Sequence, residues 1–142
     1  MNRQEFEKLR DFPGKRITAD IVLRSKRDRN GVYMSGPIPI ELDYAVKADV
    51  YIELNTETGA KTINVRVAGI GPICRLEVDG RVHRPAGRSH KHAIKTPECP
   101  AKNLPVDVLD RPDLAGSPLS GVFAEFCRMA HIEYVGGIRV LD

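Results

Sequence analysis

The stretch ADVYIEL, residues 48–54, decides the fold together with the two runs that follow it, KTINVRVAG (61–69) and ICRLEVD (73–79). Each alternates apolar with polar residues. Val50, Ile52 and Leu54 share one face, as do Ile63, Val65 and Val67, and then Cys74, Leu76 and Val78. Side chains on a strand alternate between its two faces, so this pattern is that of half-buried β-strands. The connections NTETGA and GIGP are too short for a crossover, so the three runs form an antiparallel meander.

Upstream, KRITADIVLR (15–24) also alternates, with Ile17, Ala19, Ile21 and Leu23 on one side, and predicts one further half-buried strand. The charged turn after it contains Asn30-Gly31, a strong hairpin signal. GVYMSGPIPIEL holds two prolines and two glycines, which suits an edge strand or an irregular loop. At the N-terminus, Asn2 with Glu5 makes a capping box for a short helix over about residues 3–10 that buries Phe6 and Leu9 and ends at Pro13-Gly14.

Downstream, Asp79-Gly80 marks a hairpin turn, and RVHRPAGRSHKHAIK (81–95) predicts one more hairpin with Pro85-Ala86-Gly87 at its tip. Residues 96–118 carry five prolines and predict a long irregular connection. Ser117 as N-cap and Pro118 at the first helical position start a helix, LSGVFAEFCRMA, with Val122, Phe123, Phe126, Cys127 and Ala130 on its core-facing stripe. The tail HIEYVGGIRVLD reads as a last strand interrupted at Gly136-Gly137. The expected fold is α+β: an antiparallel sheet of five or six strands packed on one C-terminal helix, with the short N-terminal helix at its edge. A length of 142 residues suits a single domain, 1–142.

Composition narrows the function classes. At 42% hydrophobic and 29% charged, the chain is neither disordered nor fibrous. No apolar run reaches the length of about 18 residues that a membrane span needs, and the charged N-terminus lacks a signal-peptide apolar region, so a cytoplasmic protein with no membrane partner is expected. Three cysteines without a close pair predict reduced thiols. Aromatics are 6% and Trp is absent, which argues against a base-stacking surface. The net charge of +3 is unevenly spread. Residues 1–31 have nine bases and five acids; residues 38–60 have one base and five acids; residues 81–95 have five bases and no acid. Such a distribution favours a polyanion on one face, or a protein partner with the complementary pattern.

The concentrated chemistry lies in residues 81–95. His83, His90 and His92 are expected to converge if the segment is a hairpin, with His90 and His92 on one strand face and Lys91 on the other. Imidazoles titrate near neutrality, so these three histidines are candidate acid–base residues for phosphodiester cleavage, with cations to stabilise the phosphorane. Arg81, Arg84, Arg88, Lys91 and Lys95 are the candidate binding residues. His83, His90, His92 and Cys99 could also hold zinc, but no acid is adjacent in sequence to orient them and five cations oppose a dication, so no metal and no cofactor is expected. A basic loop that binds without chemistry, and a solvated hairpin with incidental histidines, remain open. His131 reads as a helix-end residue, Cys127 as core, and Asp107, Asp110 and Asp113 as capping and solvating groups. Two-histidine phosphoesterase, histidine-triad, relaxase, Walker, Rossmann and zinc-protease patterns are all absent.

VDGRVH (78–83), SHKH (89–92) and FAEFC (123–127) together resemble a family of small uncharacterised prokaryotic proteins. In these, a strand runs into Asp-Gly-x-x-His, then His-x-His, then a helix of Phe-x-x-Phe-Cys type. The resemblance implies a mobile-element or host–phage conflict setting, marks His83, His90 and His92, and implies a nucleic acid or a defence or toxin–antitoxin protein as partner. The expected function is an accessory protein that binds or acts on nucleic acid through the Arg81–Lys95 segment, with metal-independent RNA cleavage as its enzymatic form. A non-enzymatic inhibitor or adaptor is the alternative.

Overall fold

In the computed structural model, residues 1–82, 87–93 and 109–141 are described, the backbone alone at Arg3, 90–93 and 109. The chain is α+β. In order, the elements are α1 (Arg3–Asp11), β1 (Lys15–Ile17), β2 (Ile21–Ser25), β3 (Val32–Met34), β4 (Ile38–Ile40), β5 (Ala48–Asn55), β6 (Lys61–Val67), β7 (Gly71–Val78), β8 (His90–Ala93), β9 (Leu109–Asp110), a 3-10 turn (Pro112–Leu114), α2 (Leu119–Ala130), β10 (Ile132–Tyr134) and β11 (Ile138–Leu141).

The meander is as the alternation predicts. β5, β6 and β7 pair antiparallel, with Val50↔Val65 and Ile63↔Leu76 in register. Val50, Ile63 and Leu76 are fully buried. One detail differs. The register shifts between Val65 and Arg66, so that Ile73 is an extra residue on β7. A bulge lets neighbouring residues turn to the same side, and Ile73 is buried while Cys74 packs against the core beside it.

Among the described residues, the sheet is larger than the five or six strands expected. Nine strands join in the order β11-β2-β3-β5-β6-β7-β8-β9, with β4 also on β5. β3 and β4 lie along successive halves of the same edge of β5. Gly36 at φ 68° breaks them apart, while the Ser35 N–H donates to Ile52 O at 3.0 Å and keeps the segment on β5. GVYMSGPIPI is thus a broken strand. The Asn30-Gly31 hairpin forms between β2 and β3, with Gly31 at φ 74°.

The single strand expected over residues 15–24 is instead two. β1 pairs in parallel with β10, and β2 pairs in parallel with β11. Both segments break at the same level, at residues 18–20 and 135–137. Gly137 N–H donates to Asp20 Oδ1 at 3.3 Å, and Ile21 N–H donates to Gly137 O at 2.9 Å. A Cβ on Gly136 would lie 3.0 Å from Ala19 O, so the crossing leaves no room for one. The interruption at Gly136-Gly137 is as expected; the matching break at Thr18–Asp20 follows from the partner strand.

α2 packs on β6 and runs straight into β10. Its stripe Val122, Phe123, Phe126 and Cys127 is buried as predicted, with Ala130 packed against the core. The expected Ser117 cap is absent: Pro118 is the N-cap, in extended conformation and without a side-chain cap bond. The helix closes on His131 in the left-handed region at φ 54°. α1 has its Asn2/Glu5 capping box and buries Phe6 and Leu9.

Lys15 caps the other end of α1. Its Nζ donates to Leu9 O at 2.6 Å and to Arg10 O, which satisfies carbonyls that a helix end leaves open. The residue is only 4% exposed, and its stem lines a cavity of about 40 Å³ together with Phe6, Ile40, Val65 and Phe126. Burial lowers the amine to about 8 from its ordinary 10.5. Between these values the unfolded chain holds a proton that the folded chain has released, so stability rises with pH across that window. The urea midpoint of the wild type should therefore climb from pH 8 to pH 10.5 relative to Lys15→Met, which lacks the amine. Parallel pH profiles for the two proteins would contradict the burial of this group.

Candidate functional site

The basic segment begins where β7 ends, at Asp79. This residue leaves the strand at φ 57°, in the left-handed region that Asp tolerates better than most residues. Its carboxylate accepts Lys61 Nζ at 3.2 Å and the Gly116 N–H at 3.0 Å. Its own N–H donates to Ser89 Oγ at 3.0 Å. Arg88 folds back on the same turn, with Nε donating to Gly80 O at 3.0 Å and Nη2 to Asp79 O at 3.4 Å. Gly80 N–H donates to Arg88 O at 3.0 Å. Asp79 and Gly80 thus lie beside Ser89 and Arg88 and do not themselves form the tight turn expected; Pro85 and Ala86, at the expected hairpin tip, lie outside the described residues.

β8 then pairs with β7: Glu77↔His90, Arg75↔His92, Leu76↔Lys91 and Cys74↔Ala93. β9 pairs on its other side, with His90↔Asp110 and Lys91↔Leu109. Residues directly opposite on antiparallel strands share a face. Leu76 is fully buried, so position 91 belongs to the core side. Positions 90 and 92 belong to the outer side, with Arg75, Glu77 and Asp110. The expected strand at 90–92, with Lys91 on the opposite face from both histidines, is present in the backbone.

The register also changes the argument about metal. Residues 81–95 themselves hold no acid. Two carboxylates instead come from neighbouring strands, Glu77 from β7 and Asp110 from β9, on either side of His90. Glu77 has an ion-pair partner and Asp110 a hydrogen-bond donor. Arg75 Nε lies 3.3 Å from Glu77 Oε1, and Gly87 N–H donates to Asp110 Oδ1 at 3.3 Å. Farther along the same face, Asn64 sits opposite Arg75; its Oδ1 is buried with no hydrogen-bond partner among the described residues. Sequence reading missed Glu77, Asp110 and Arg75 because they lie outside the basic segment and meet it only through pairing.

The remaining expected site residues divide. Arg81 is exposed. Arg88 is exposed but bonded to the 79–80 carbonyls. His83, Arg84, Lys95 and Cys99 lie outside the described residues, as does Asp107, so the expected convergence of His83 on the pair falls there too.

Away from this face, the titratable groups have structural roles. Arg111 joins the 3-10 turn to α2. It donates to Asp113 Oδ2 and Glu125 Oε1, both at 2.8 Å, and its Nη1 lies 2.9 Å from Met129 Sδ. Arg128 and Arg111 hold the Glu125 carboxyl down to about 2. Burial pushes the Cys127 thiol up to about 12, which fits a core residue and not a nucleophile. His131 Nε2 lies 3.7 Å from Asp11 Oδ1.

The chain matches no protein-family model, no curated protein and no solved structure. The resemblance carried by VDGRVH, SHKH and FAEFC stands on those residues alone.

Asp79 positions everything in this region, and its removal has a definite consequence. Lys61 is 7% exposed and would lose its only ion-pair partner among the described residues. Lys61 Nζ would keep its bond to Gly59 O, but the ion pair and the acceptor of the Gly116 N–H would go, so Asp79→Ala should destabilise the fold by about 1–3 kcal/mol. Asp79→Asn, which keeps an acceptor for Gly116 and tolerates the left-handed backbone, should cost visibly less. Equal urea midpoints for the wild type and Asp79→Ala would show that the contact contributes nothing.

Proposed function

We propose that this chain binds nucleic acid through the Arg81–Lys95 segment. The observation that carries the reading is a run of five cations without an acid in residues 81–95 of the sequence, with Arg81 exposed at its start. Phosphate backbones are bound by Lys and Arg clustered on one surface, and such contacts need no base-stacking aromatics. The scarcity of aromatics therefore weighs against single-strand base recognition and not against backbone binding.

The cations do not contribute equally. Arg88 spends two of its donor groups on the 79–80 carbonyls and serves chiefly to shape the connection. Lys91 belongs by register to the core side of the sheet. Arg81, Arg84 and Lys95 are the contacts on which the reading depends.

Phosphate binding releases counterions, so affinity for RNA or DNA should fall steeply with salt, by roughly one unit of log–log slope per phosphate contacted. Replacing Arg81, Arg84 and Lys95 with Glu should abolish binding at low salt while circular dichroism stays unchanged. Binding that ignores salt, or its absence for both nucleic acids at low ionic strength, would remove nucleic acid as the partner.

A further inference from the structure

The sheet gathers three connections at one end. Val32 pairs with Asn55, and Lys61 pairs with both Leu54 and Val78. The β2–β3 hairpin (26–31), the β5–β6 turn (56–60) and residues 79–81 and 88–89 beyond β7 therefore stand side by side. We propose that this end of the sheet is a two-part surface for duplex nucleic acid, with Arg24, Lys26 and Arg27 of the hairpin on one backbone and Arg81 on the other. The inference rests on the reading that the 81–95 segment binds nucleic acid, and adds the hairpin as a second contact and the duplex as the form bound.

The hairpin carries its cations in the open. Residues 24–31 hold four bases and one acid, Asp28. Arg24, Arg27 and Arg29 are exposed, and Lys26 is half-buried. Arg29 is committed, with Nη1 3.3 Å from Glu53 Oε1. Arg24, Lys26 and Arg27 have no side-chain hydrogen bond or ion pair among the described residues. Of the other acids at this end, Glu57 Oε1 accepts from Asn30 Nδ2 at 3.3 Å, and Asp79 holds Lys61 and the Gly116 N–H.

Hydrogen bonds fasten the three connections into one frame. The Thr56 N–H and hydroxyl donate to Gly31 O at 2.8 and 2.9 Å. Lys61 Nζ donates to Gly59 O at 2.8 Å and to Asp79 Oδ2 at 3.2 Å. Gly31 is in the left-handed region, and a Cβ there would lie 2.8 Å from Glu57 Cγ, so the hairpin sits directly on the turn. A surface fixed before its ligand arrives loses less entropy on binding.

Spacing and charge select a duplex. The strands run β2-β3-β5-β6-β7-β8 across the sheet, and neighbours are about 4.8 Å apart, so the β2–β3 and β7–β8 ends are centred about 19 Å from each other. The major groove of a B-form duplex is about 12 Å wide, and an A-form duplex is wide at its minor groove. In either, cations at this separation face the two backbones that wall the groove. Between them lies the β5–β6 turn with exposed Glu57, which would face the groove and not a phosphate. A single strand laid along the same end would pass its phosphates over that carboxylate, and the scarcity of aromatics offers its bases little to stack on.

The test measures binding of short DNA and RNA duplexes, and of their separate strands, by fluorescence anisotropy across a salt series. The preferred duplex should bind at least about 10-fold tighter than its strands. Joint replacement of Arg24, Lys26 and Arg27 with Ala should weaken duplex binding at least about 10-fold and lower the log–log salt slope by about 2–3, for three lost phosphate contacts. Its urea midpoint should stay within error of the wild type, since exposed substitutions alter stability little. Joint replacement of Lys47 and Arg66, exposed at the other end of β5 and β6, should leave affinity and slope nearly unchanged. Wild-type affinity and slope in the hairpin variant, with binding lost on replacing Arg81, Arg84 and Lys95, would overturn the two-part surface and leave the nucleic-acid reading standing. Equal losses in the hairpin and Lys47/Arg66 variants would reduce the effect to net charge and overturn it too, as would tighter binding of single strands. No binding of any of the four by the wild type would remove both the inference and the reading it rests on.

Discussion

The Asp79 carboxylate ties together three parts of the chain that sequence places far apart. It holds Lys61 at the start of β6 and the Gly116 N–H ahead of α2, while its backbone N–H is held by Ser89, just before β8. β7 is thereby ended at a fixed residue and β8 started at another. Because side chains alternate, sliding β8 by one residue would exchange its two faces completely. The position of His90 opposite Glu77, and not of Lys91, follows from where this knot is tied. Leu76, fully buried between Ile63 and position 91, adds an apolar contribution to the same register.

The sequence carried some of this architecture and could not carry the rest. Alternation identified β5, β6 and β7 because each is buried on one face only, and the stripe from Val122 to Cys127 identified α2 for the analogous helical reason. Residues 15–24 misled because Ile17 and Ile21 are both buried, as one strand would have them, but in different strand pairs. The break between them is imposed by pairing with β10 and β11, more than a hundred residues later, and local pattern contains no trace of a partner that distant. Pro118 displaced Ser117 at the start of α2 by one residue, a shift within the ordinary uncertainty of helix ends.

The site was half legible for the same reason. His-x-His on a strand is a local pattern, and the backbone at 90–93 bears it out. Glu77 and Asp110 are thirteen and twenty residues from His90 on either side, and only the ladder makes them neighbours. Residues 81–95 taken alone hold five cations and no acid. Among the described residues, Arg88 is bonded to the 79–80 carbonyls, position 91 is on the core side of the sheet, and Glu77 and Asp110 stand opposite position 90. The pairing thus sets positions 90 and 92 of β8 on one face with Arg75, Glu77 and Asp110.

All of this rests on the pairing of β7, β8 and β9, and interstrand nuclear Overhauser contacts measure that pairing directly. In labelled protein, backbone contacts should link Glu77 with His90, Arg75 with His92, and His90 with Asp110. Contacts that instead link Glu77 with Lys91, a slip of one residue, would put the histidines on the core side and contradict the account.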